Sequence, residues 1–418
     1  MSQRWRMEQL SLEAGLSMIW KDSRNSQTAY SPIAMTAAWM MQRKRCIQET
    51  FSEGTRTMLE KNISLKGKTV LITGVAGFIG SSLALELLNS INDINIVGID
   101  NMNDYYDVSL KEYRLQQINK CLKEVTGTFV FIRESIANKG IIDELFDKYR
   151  PSVVVNLAAQ AGVRYSITNS DAYVEANLIG FYNILEACRH SYDDGKEGVQ
   201  HLVYASSSSV YGSNKKVPYS TEDKVDNPVS LYAATKKSNE LMAHAYSKLY
   251  NIPSTGLRFF TVYGPAGRPD MAYFGFTNKL RNNETIQIFN YGNCRRDFTY
   301  IDDIVEGVKR VMQVAPVKIN GEDGLPIPPY KVYNIGNSHP ENLLEFVDIL
   351  QQELISAGVL PKEYDFESHK ELVAMQPGDV PVTYADTLPL ENDFGFKPDT
   401  SLREGLRNFA RWYKEFYG

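Results

Sequence analysis

Short apolar runs alternate with helical patterns over much of the chain. Leu83, Leu87 and Leu88 recur at the spacing of one helix face, and the longer segments 172–189 and 229–250 are also helical in character. Between these helices lie runs typical of strands buried on both faces, at 69–73, 94–99, 129–132, 153–157, 201–205 and 255–260. The alternation predicts an α/β protein with a doubly wound parallel sheet.

The pattern also divides the chain. The alternation begins near Lys68 and breaks down after Val262, where Pro/Gly turns become frequent. We therefore expect an N-terminal extension of unknown role at 1–66, a nucleotide-binding domain at 67–262 and a smaller, mainly substrate-binding α/β lobe at 263–418. Some segments of the last part are expected to return to the first domain. Because ligands bind at the carboxyl ends of strands in open α/β sheets, the lobe should cover those ends.

Composition excludes several classes of function. The net charge is −5 and no long basic run occurs, which argues against a nucleic-acid partner. The four cysteines form no C-x-x-C and the five histidines show no metal-ligand spacing, so we expect neither a disulfide framework nor a metal site. Scattered cysteines fit a reducing compartment and predict a cytoplasmic location. No apolar run reaches the roughly 18 residues that a membrane-spanning helix needs.

A glycine-spaced loop, Gly74-Val75-Ala76-Gly77-Phe78-Ile79-Gly80, follows the first predicted strand and opens a helix. A turn of this kind presents backbone N–H groups to a dinucleotide pyrophosphate. Asp100 follows Gly80 by 20 residues, the distance at which an acid meets the adenosine ribose hydroxyls. A carboxylate there would repel the 2′-phosphate of NADP. The loop therefore predicts a Rossmann-type domain that binds NAD.

Tyr232 and Lys236 are the candidate catalytic pair. Their i, i+4 spacing places phenol and ammonium on one face of a predicted helix. A nearby cation stabilises phenolate, so the tyrosine pKa is expected to fall toward the working pH. Four serines, 206–209, follow the fifth predicted strand, where their hydroxyls can bond a sugar hydroxyl. Together these groups predict a base that removes a hydroxyl proton while NAD takes a hydride.

Beyond these motifs, the chain resembles the nucleotide-sugar epimerases of the extended short-chain dehydrogenase/reductase superfamily from about Lys66 onward. Within them it is most similar to the UDP-glucuronate 4-epimerases. The resemblance rests on ordered matches at 100–107, 156–166, 256–265, 295–303 and 375–380. It implies a UDP-sugar substrate, tightly bound NAD, and a homodimer formed through the helices at 172–189 and 229–250.

The resemblance also assigns residues to the cofactor. It implies that the glycine loop holds the pyrophosphate of NAD, Asp100 and Asn101 hold the adenosine ribose, and Lys236 holds the nicotinamide ribose. The full implied set is Gly74, Gly77, Phe78, Ile79, Gly80, Asp100, Asn101, Leu157, Ala158, Ala159, Gln160, Asn177, Tyr232, Lys236 and Phe260.

On the substrate side, the resemblance implies that Tyr232 is the base and Ser207 the matching hydroxyl, a role that Ser209 can share. Arg296 is expected to meet the UDP phosphates and Arg268 the sugar carboxylate, since a guanidinium binds such anions in a bidentate way. The full implied substrate set is Arg164, Ser207, Ser209, Thr261, Arg268, Arg296, Gln376 and Asp379.

The chain departs from the family pattern at three positions, and the last of them leaves the sugar open. Ser135 stands where an aspartate commonly meets the adenine, Leu231 replaces a usual proline, and Ala266 replaces a usual tryptophan, which is expected to open the sugar pocket. Ser208 and Ser209 occupy positions where related dehydratases and decarboxylases carry acids, which favours epimerisation. UDP-glucose or UDP-N-acetylglucosamine epimerisation, UDP-glucuronate decarboxylation and a non-catalytic nucleotide sensor remain the alternatives.

Overall fold

The computed structural model describes residues 58–375 and 381–418. Seven parallel strands form the central sheet, in the spatial order β12-β6-β5-β4-β1-β2-β3. These strands are β1 (Thr69–Thr73), β2 (Asn95–Asp100), β3 (Thr128–Arg133), β4 (Val153–Asn156), β5 (His201–Ser207), β6 (Ser254–Phe259) and β12 (Tyr330–Ile335).

Smaller sheets build the C-terminal lobe. β9 (Arg295–Tyr300) pairs with β7 (Thr261–Tyr263) on one side and with β13 (Pro340–Asn342) on the other. Two further pairs complete the lobe: β8 (Ile286–Ile288) with β14 (Lys370–Leu372), and β10 (Ile319–Asn320) with β11 (Pro326–Ile327).

Helices cover both faces of the central sheet and fill the lobe. They are α1 (Phe78–Ser90), α2 (Val108–Cys121), α3 (Lys139–Tyr149), α4 (Tyr165–Thr168), α5 (Ser170–Tyr173), α6 (Gly180–His190), α7 (Leu231–Tyr250), α8 (Ala272–Arg281), α9 (Ile301–Met312), α10 (Leu343–Ser356), α11 (Leu388–Phe394) and α12 (Leu402–Tyr417). A π-helical segment, Val174–Ile179, joins α5 to α6. In the part of the chain that the structure describes, no helix is long and apolar enough to cross a membrane.

The strand sequences explain the two-faced core. β1 is buried along nearly its whole length, as expected where helices cover both sides. Because successive strand side chains point to opposite faces, Val70 and Ile72 join the core that contains α1 and α9, whereas Leu71 joins the core that contains α3 and α6.

The order of the strands positions the site. From β1 the chain builds outward to β2 and β3, then returns to place β4, β5 and β6 on the other side of β1. The carboxyl ends of β1 and β4 therefore flank a topological switch point, where ligands bind in sheets of this kind. The predicted doubly wound parallel sheet is confirmed.

Residues just before β1 and residues from the second half of the chain both pack into the domain built on the central sheet. Ile63 and Leu65 are buried in the same core as β1. The side chain of Asn62 donates to the carbonyl of Ala315 and accepts from its N–H, both at 2.8 Å. β12, from the second half, forms the edge of the central sheet next to β6.

Candidate active site

One long cleft of about 1100 Å³ runs over the carboxyl ends of the strands and under the C-terminal lobe. Of the predicted site residues that the structure describes, it brings together all except Asn177. These are Gly74, Gly77, Phe78, Ile79, Gly80, Asp100, Asn101, Leu157, Ala158, Ala159, Gln160, Arg164, Ser207, Ser209, Tyr232, Lys236, Phe260, Thr261, Arg268 and Arg296. Gln376 and Asp379 lie outside the described residues.

The glycine loop turns tightly between β1 and α1. Gly74 has φ +68°, a conformation that L-residues with side chains rarely adopt. The N-cap of α1, Gly77, makes no side-chain cap bond, and the first turn of α1 carries no acid. The N–H groups at the N-terminus of α1 can therefore bind an anion, and the positive end of the helix dipole favours one there. This geometry fits the pyrophosphate of a dinucleotide.

Asp100 lies at the carboxyl end of β2 and is only 8% exposed. Its two carboxylate oxygens accept hydrogen bonds from the N–H of Ala76 at 3.2 Å and of Met102 at 2.9 Å. Each oxygen keeps a second lone pair, so the carboxylate can also accept from a ribose hydroxyl in the cleft. Beside it, Asn101 is exposed and lines the same wall.

Asn177 supports the cleft from behind. It lies in the π-helical segment, is 1% exposed, and its amide oxygen accepts from the N–H of Gln160 at 2.8 Å. Its amide nitrogen donates to the Gln160 carbonyl at 3.1 Å and to Thr235 Oγ1 at 3.0 Å. Asn177 therefore ties the segment after β4 to the helix that carries Tyr232 and Lys236.

Helix α7 presents Tyr232 and Lys236 to the cleft, as the spacing predicts. Ser230 begins the helix, and its hydroxyl accepts from the N–H of Ala233 at 3.1 Å. Lys236 is 3% exposed, and its Nζ donates to the carbonyl of Ala205 on β5 at 3.0 Å. The ring of Tyr232 makes an edge contact with Tyr173, with ring centroids 6.1 Å apart.

The predicted fall in the Tyr232 pKa is wrong in direction. Burial raises the pKa of Tyr232 above its ordinary value and outweighs the lowering by the Ser207 hydroxyl and the Arg268 guanidinium. Burial also lowers the pKa of Lys236 to about 8. Desolvation disfavours the charged form of both groups, which spacing along a helix does not reveal.

Lys236→Met should raise thermal stability, because burial makes the charged ammonium of Lys236 unfavourable in the folded state. The folded-state pKa of about 8 lies below the ordinary value of 10.5, so between these values the unfolded chain binds more protons and wild-type stability rises with pH. Below about pH 8 the whole cost of burying the Lys236 ammonium applies. Removing the ammonium should then raise the free energy of unfolding by roughly 1–3 kcal/mol. Melting curves at about pH 7 and about pH 10 should show this advantage shrinking at the higher pH.

Lys248→Met is the matched control, since Lys248 is an exposed lysine of the same helix. We expect its melting temperature and pH dependence to follow the wild type. An Lys236→Met protein that melts below the wild type at both pH values would contradict the prediction.

The serine run closes the reactive end of the cleft. Ser207 ends β5 and is the N-cap of the 3-10 turn Ser208–Tyr211. Its hydroxyl accepts from the N–H of Ser209 at 3.1 Å. The hydroxyl of Ser206 donates to Glu240 at 2.7 Å. Glu240 is also held by Arg258 through two hydrogen bonds, at 2.8 and 2.9 Å. This buried network fixes the end of β5, where all four serines, 206–209, line the cleft.

Arg268 forms a two-pronged ion pair at the edge of the reactive region. Its Nε and Nη2 donate to the two oxygens of Asp270, at 3.0 and 2.5 Å. Tyr105 donates to the same carboxylate at 3.1 Å. Arg268 and Asp270 keep 26% and 29% of their side chains exposed, so the pair faces the cleft.

Arg296 lies further along the cleft, on β9. Its Nη1 donates to the carbonyls of Arg295 at 3.0 Å and Pro381 at 3.2 Å. Arg164 lies opposite, with its guanidinium 5.6 Å from the centre of the Phe289 ring. Both side chains line the cleft together with Thr261 and Phe260.

Sequence reasoning missed two cations of α2. Lys111 lines the cleft near Asp100 and donates to the carbonyl and side chain of Asn103, both at 2.8 Å. Arg114 is buried beneath the glycine loop. A signal was available, because both residues share the buried stripe of α2 with Leu110 and Ile118. A charged residue on such a stripe requires a specific set of partners.

Two positions that depart from the family pattern have clear surroundings. Ser135 lines the cleft, and its hydroxyl accepts from the N–H of Ala137 at 3.2 Å. Ala266 has φ +52° and packs against the core, and it is not among the residues that line the cleft. A tryptophan in this turn would add bulk that alanine lacks, so the expectation that Ala266 opens the sugar pocket stays a prediction.

Comparison with known proteins adds to this geometry. A model of the NAD dependent epimerase/dehydratase family matches residues 70–336. Protein CapI of Staphylococcus aureus is 50% identical over 355 residues, which cover 83% of this chain and 99% of CapI. UDP-glucuronate 4-epimerase 4 of Arabidopsis thaliana is 43% identical over 357 residues, covering 84% of this chain and 76% of the plant protein.

A solved structure is similar over the same region. The UDP-glucuronic acid 4-epimerase of Bacillus cereus, crystallised with UDP-glucuronic acid and NAD, superposes with a TM-score of 0.69 and 31% sequence identity. The match covers 84% of this chain and 100% of the bacterial one.

Proposed function

Because the chain belongs to the NAD dependent epimerase/dehydratase family, as an NAD-dependent nucleotide-sugar 4-epimerase, we propose that it interconverts UDP-glucuronate and UDP-galacturonate. The position of Arg268 carries the choice of sugar. Its guanidinium is close enough to Tyr232 to lower the pKa of that phenol. In a uronate the carboxylate is attached to C5, next to the reacting C4, so its binding group must lie near the catalytic tyrosine.

The residues divide the work at C4 between proton and hydride. NAD+, when bound, accepts the hydride from C4 and returns it to the opposite face of the sugar. Tyr232 takes the proton from O4 and gives it back, and the Ser207 hydroxyl hydrogen-bonds the reacting oxygen. Lys236 holds the nicotinamide ribose. The sugar passes through a 4-keto intermediate, which must turn within the cleft between the two transfers.

Arg268 protects this intermediate. A 4-ketouronate is a β-keto acid, which loses CO2 when the bond to the carboxylate aligns with the carbonyl π system. A two-pronged guanidinium can fix the plane of the carboxylate and disfavour that alignment. Ser208 and Ser209 provide no carboxyl group for dehydration or assisted decarboxylation, which further favours epimerisation.

Incubation of the purified protein with UDP-glucuronate, without added NAD, tests the proposed function. We expect UDP-galacturonate as the main product by NMR, because the cofactor is recycled and should stay bound. UDP-pentose and CO2 as the main products would reject epimerisation in favour of decarboxylation. Faster turnover of UDP-glucose or UDP-N-acetylglucosamine would assign the protein to neutral sugars. Bound NAD with no turnover of any of these would favour the sensor.

Arg268→Gln should lower kcat/KM for UDP-glucuronate about a hundredfold, the loss expected for a desolvated charge pair. Turnover of UDP-glucose, measured in parallel by NMR, should change much less, since that sugar has no carboxylate. The double variant Arg268→Gln/Asp270→Asn is the control, because it removes the carboxylate that the single change leaves without its arginine. Equal losses for both sugars in the double variant would contradict a carboxylate-specific role.

We also propose a homodimer formed through α6 and α7. Large apolar side chains on these helices are exposed, with Tyr182 at 43%, Leu241 at 60% and Leu249 at 68%. An exposed apolar face of this kind is typical of an interaction surface. Light scattering should give a molar mass near twice the 47.3 kDa of one chain, and a monomer at micromolar concentration would reject the dimer.

A further inference from the structure

Arg114 is the most completely enclosed cation beneath the cleft. Its residue exposure is 2%, although it lies on a helix whose other face meets solvent. Burying a guanidinium is unfavourable unless its N–H groups find acceptors. Among the residues that the structure describes, no carboxylate lies within ion-pair distance of Arg114, and its partners are backbone carbonyls and one phenol.

These acceptors come from two separate parts of the site. Toward the cofactor loop, Nη1 donates to the carbonyl of Ala76 at 3.0 Å. Toward the C-terminal lobe, Nε and Nη2 donate to the carbonyl of Ala266 at 2.9 and 2.7 Å, and Nη2 also donates to the carbonyl of Gly267 at 2.9 Å. The guanidinium thus bridges segments separated by about 190 residues in sequence, each one residue from a predicted ligand-binding position.

On the cofactor side, the bridge completes the hydrogen bonding of both backbone polar groups of Ala76. The N–H of Ala76 donates to Asp100 at 3.2 Å, while its carbonyl accepts from Arg114. Ala76 directly precedes Gly77, the N-cap of α1. Fixing both polar groups of Ala76 therefore orients the N–H groups that face the pyrophosphate.

On the sugar side, the bridge holds a strained turn. Ala266 has φ +52°, which is unfavourable for a residue with a side chain. Two hydrogen bonds from Arg114 to its carbonyl, and a third to the next carbonyl, stabilise this conformation. Arg268 follows immediately, so the direction of its guanidinium depends on the turn.

We infer that Arg114 is a positioning residue that fixes the pyrophosphate loop and the Arg268 turn relative to each other. Only a planar group with several N–H donors can serve both segments at once. A lysine keeps the charge but offers one nitrogen, which cannot reach both sets of carbonyls. The positive charge of Arg114 alone is therefore insufficient to hold both segments, and the arrangement of its N–H donors is required.

The test compares Arg114→Lys with Ile142→Ala. Ile142 is fully buried in the core on the opposite side of the sheet, so its truncation lowers stability without touching either segment. For Arg114→Lys we expect the Kd for NAD+, measured by calorimetry, to rise about tenfold, equivalent to about 1.4 kcal/mol. Hydrogen–deuterium exchange should become faster at 264–270, and the Kd for UDP-glucuronate should rise in parallel. Ile142→Ala should lose melting temperature and show none of these changes.

Each outcome decides the matter. An NAD+ affinity within about twofold of the wild type, or unchanged exchange at 264–270, would show that Arg114 does not hold both segments. Wild-type NAD+ affinity, exchange rates and UDP-glucuronate affinity in Arg114→Lys would show that the positive charge suffices. An Arg114→Lys chain that does not fold would make Arg114 a folding residue and overturn the inference. The UDP-glucuronate measurement rests on the proposed function; a wild type that does not bind this sugar would reject that function, while the NAD+ and exchange measurements would still test Arg114.

Discussion

Tyr232→Phe is expected to lower kcat for epimerisation about a thousandfold, within the range that general acid–base catalysis contributes. The variant should keep its fold and its bound NAD, because the phenol oxygen makes no hydrogen bond on which the helix depends. Ser230 caps α7, and Lys236 is anchored to Ala205. The loss should therefore fall on the chemical step and leave KM for the nucleotide sugar nearly unchanged.

The reason is that nothing else in the reactive end of the cleft can accept the proton equally well. Ser207 is a weak base, and the Nζ of Lys236 is engaged as a hydrogen-bond donor to the Ala205 carbonyl. Asp270 is committed to Arg268 and Tyr105. Burial raises the pKa of Tyr232, so activity should increase with pH as the phenolate forms. The acidic limb of this profile should be absent in Tyr232→Phe.

Tyr246→Phe is the matched control, since it removes one phenol hydroxyl from the same helix. Tyr246 donates to Glu186 at 2.7 Å, away from the cleft. Its activity should remain close to that of the wild type. A Tyr232→Phe protein that retains more than about a tenth of wild-type kcat would exclude Tyr232 as the principal base.

The sequence predicts those parts of the molecule that depend on local periodicity. The six predicted strands correspond to β1–β6. A strand buried on both faces leaves a continuous apolar run, and the edge strand β3, although partly exposed, carries a similar run of apolar residues. The turn at Gly74–Gly80 and the shared face of Tyr232 and Lys236 also follow from spacing alone. In the same way, the family pattern gathers the described site residues into one cleft, with Asn177 directly behind it.

What the sequence cannot predict depends on tertiary context. β12 pairs with β6, and no local feature of its residues specifies that partner. The pKa of Tyr232 depends on burial by the surrounding cleft. The Arg268–Asp270 pair follows a turn in which the carbonyl of Ala266 accepts from Arg114. A helical stripe identifies Arg114 as unusual, yet only the folded chain shows that it joins two loops.

Gly80→Ala is expected to abolish tight NAD retention, with at least about a hundredfold loss of affinity. A Cβ at this position would lie 2.3 Å from the carbonyl oxygen of Gly74 and 3.0 Å from the Cα of Val75. Both atoms are backbone, so the clash cannot be relieved by a side-chain rotation. Gly74 has little free space on its other side, because a Cβ built on it would lie 2.8 Å from the backbone nitrogen of Ala158.

The displaced atoms are those that orient the pyrophosphate site, which is why the effect should fall on NAD binding more than on folding. Alanine favours a helix by about 1 kcal/mol over glycine, which partly offsets the strain. Cofactor content after purification and calorimetric NAD+ titration measure the outcome. Gly140→Ala is the control, since its Cβ in the first turn of α3 meets only the side-chain oxygen of Asn138, at 3.7 Å. Normal NAD content in Gly80→Ala would mean that the loop can shift without losing its grip on the cofactor.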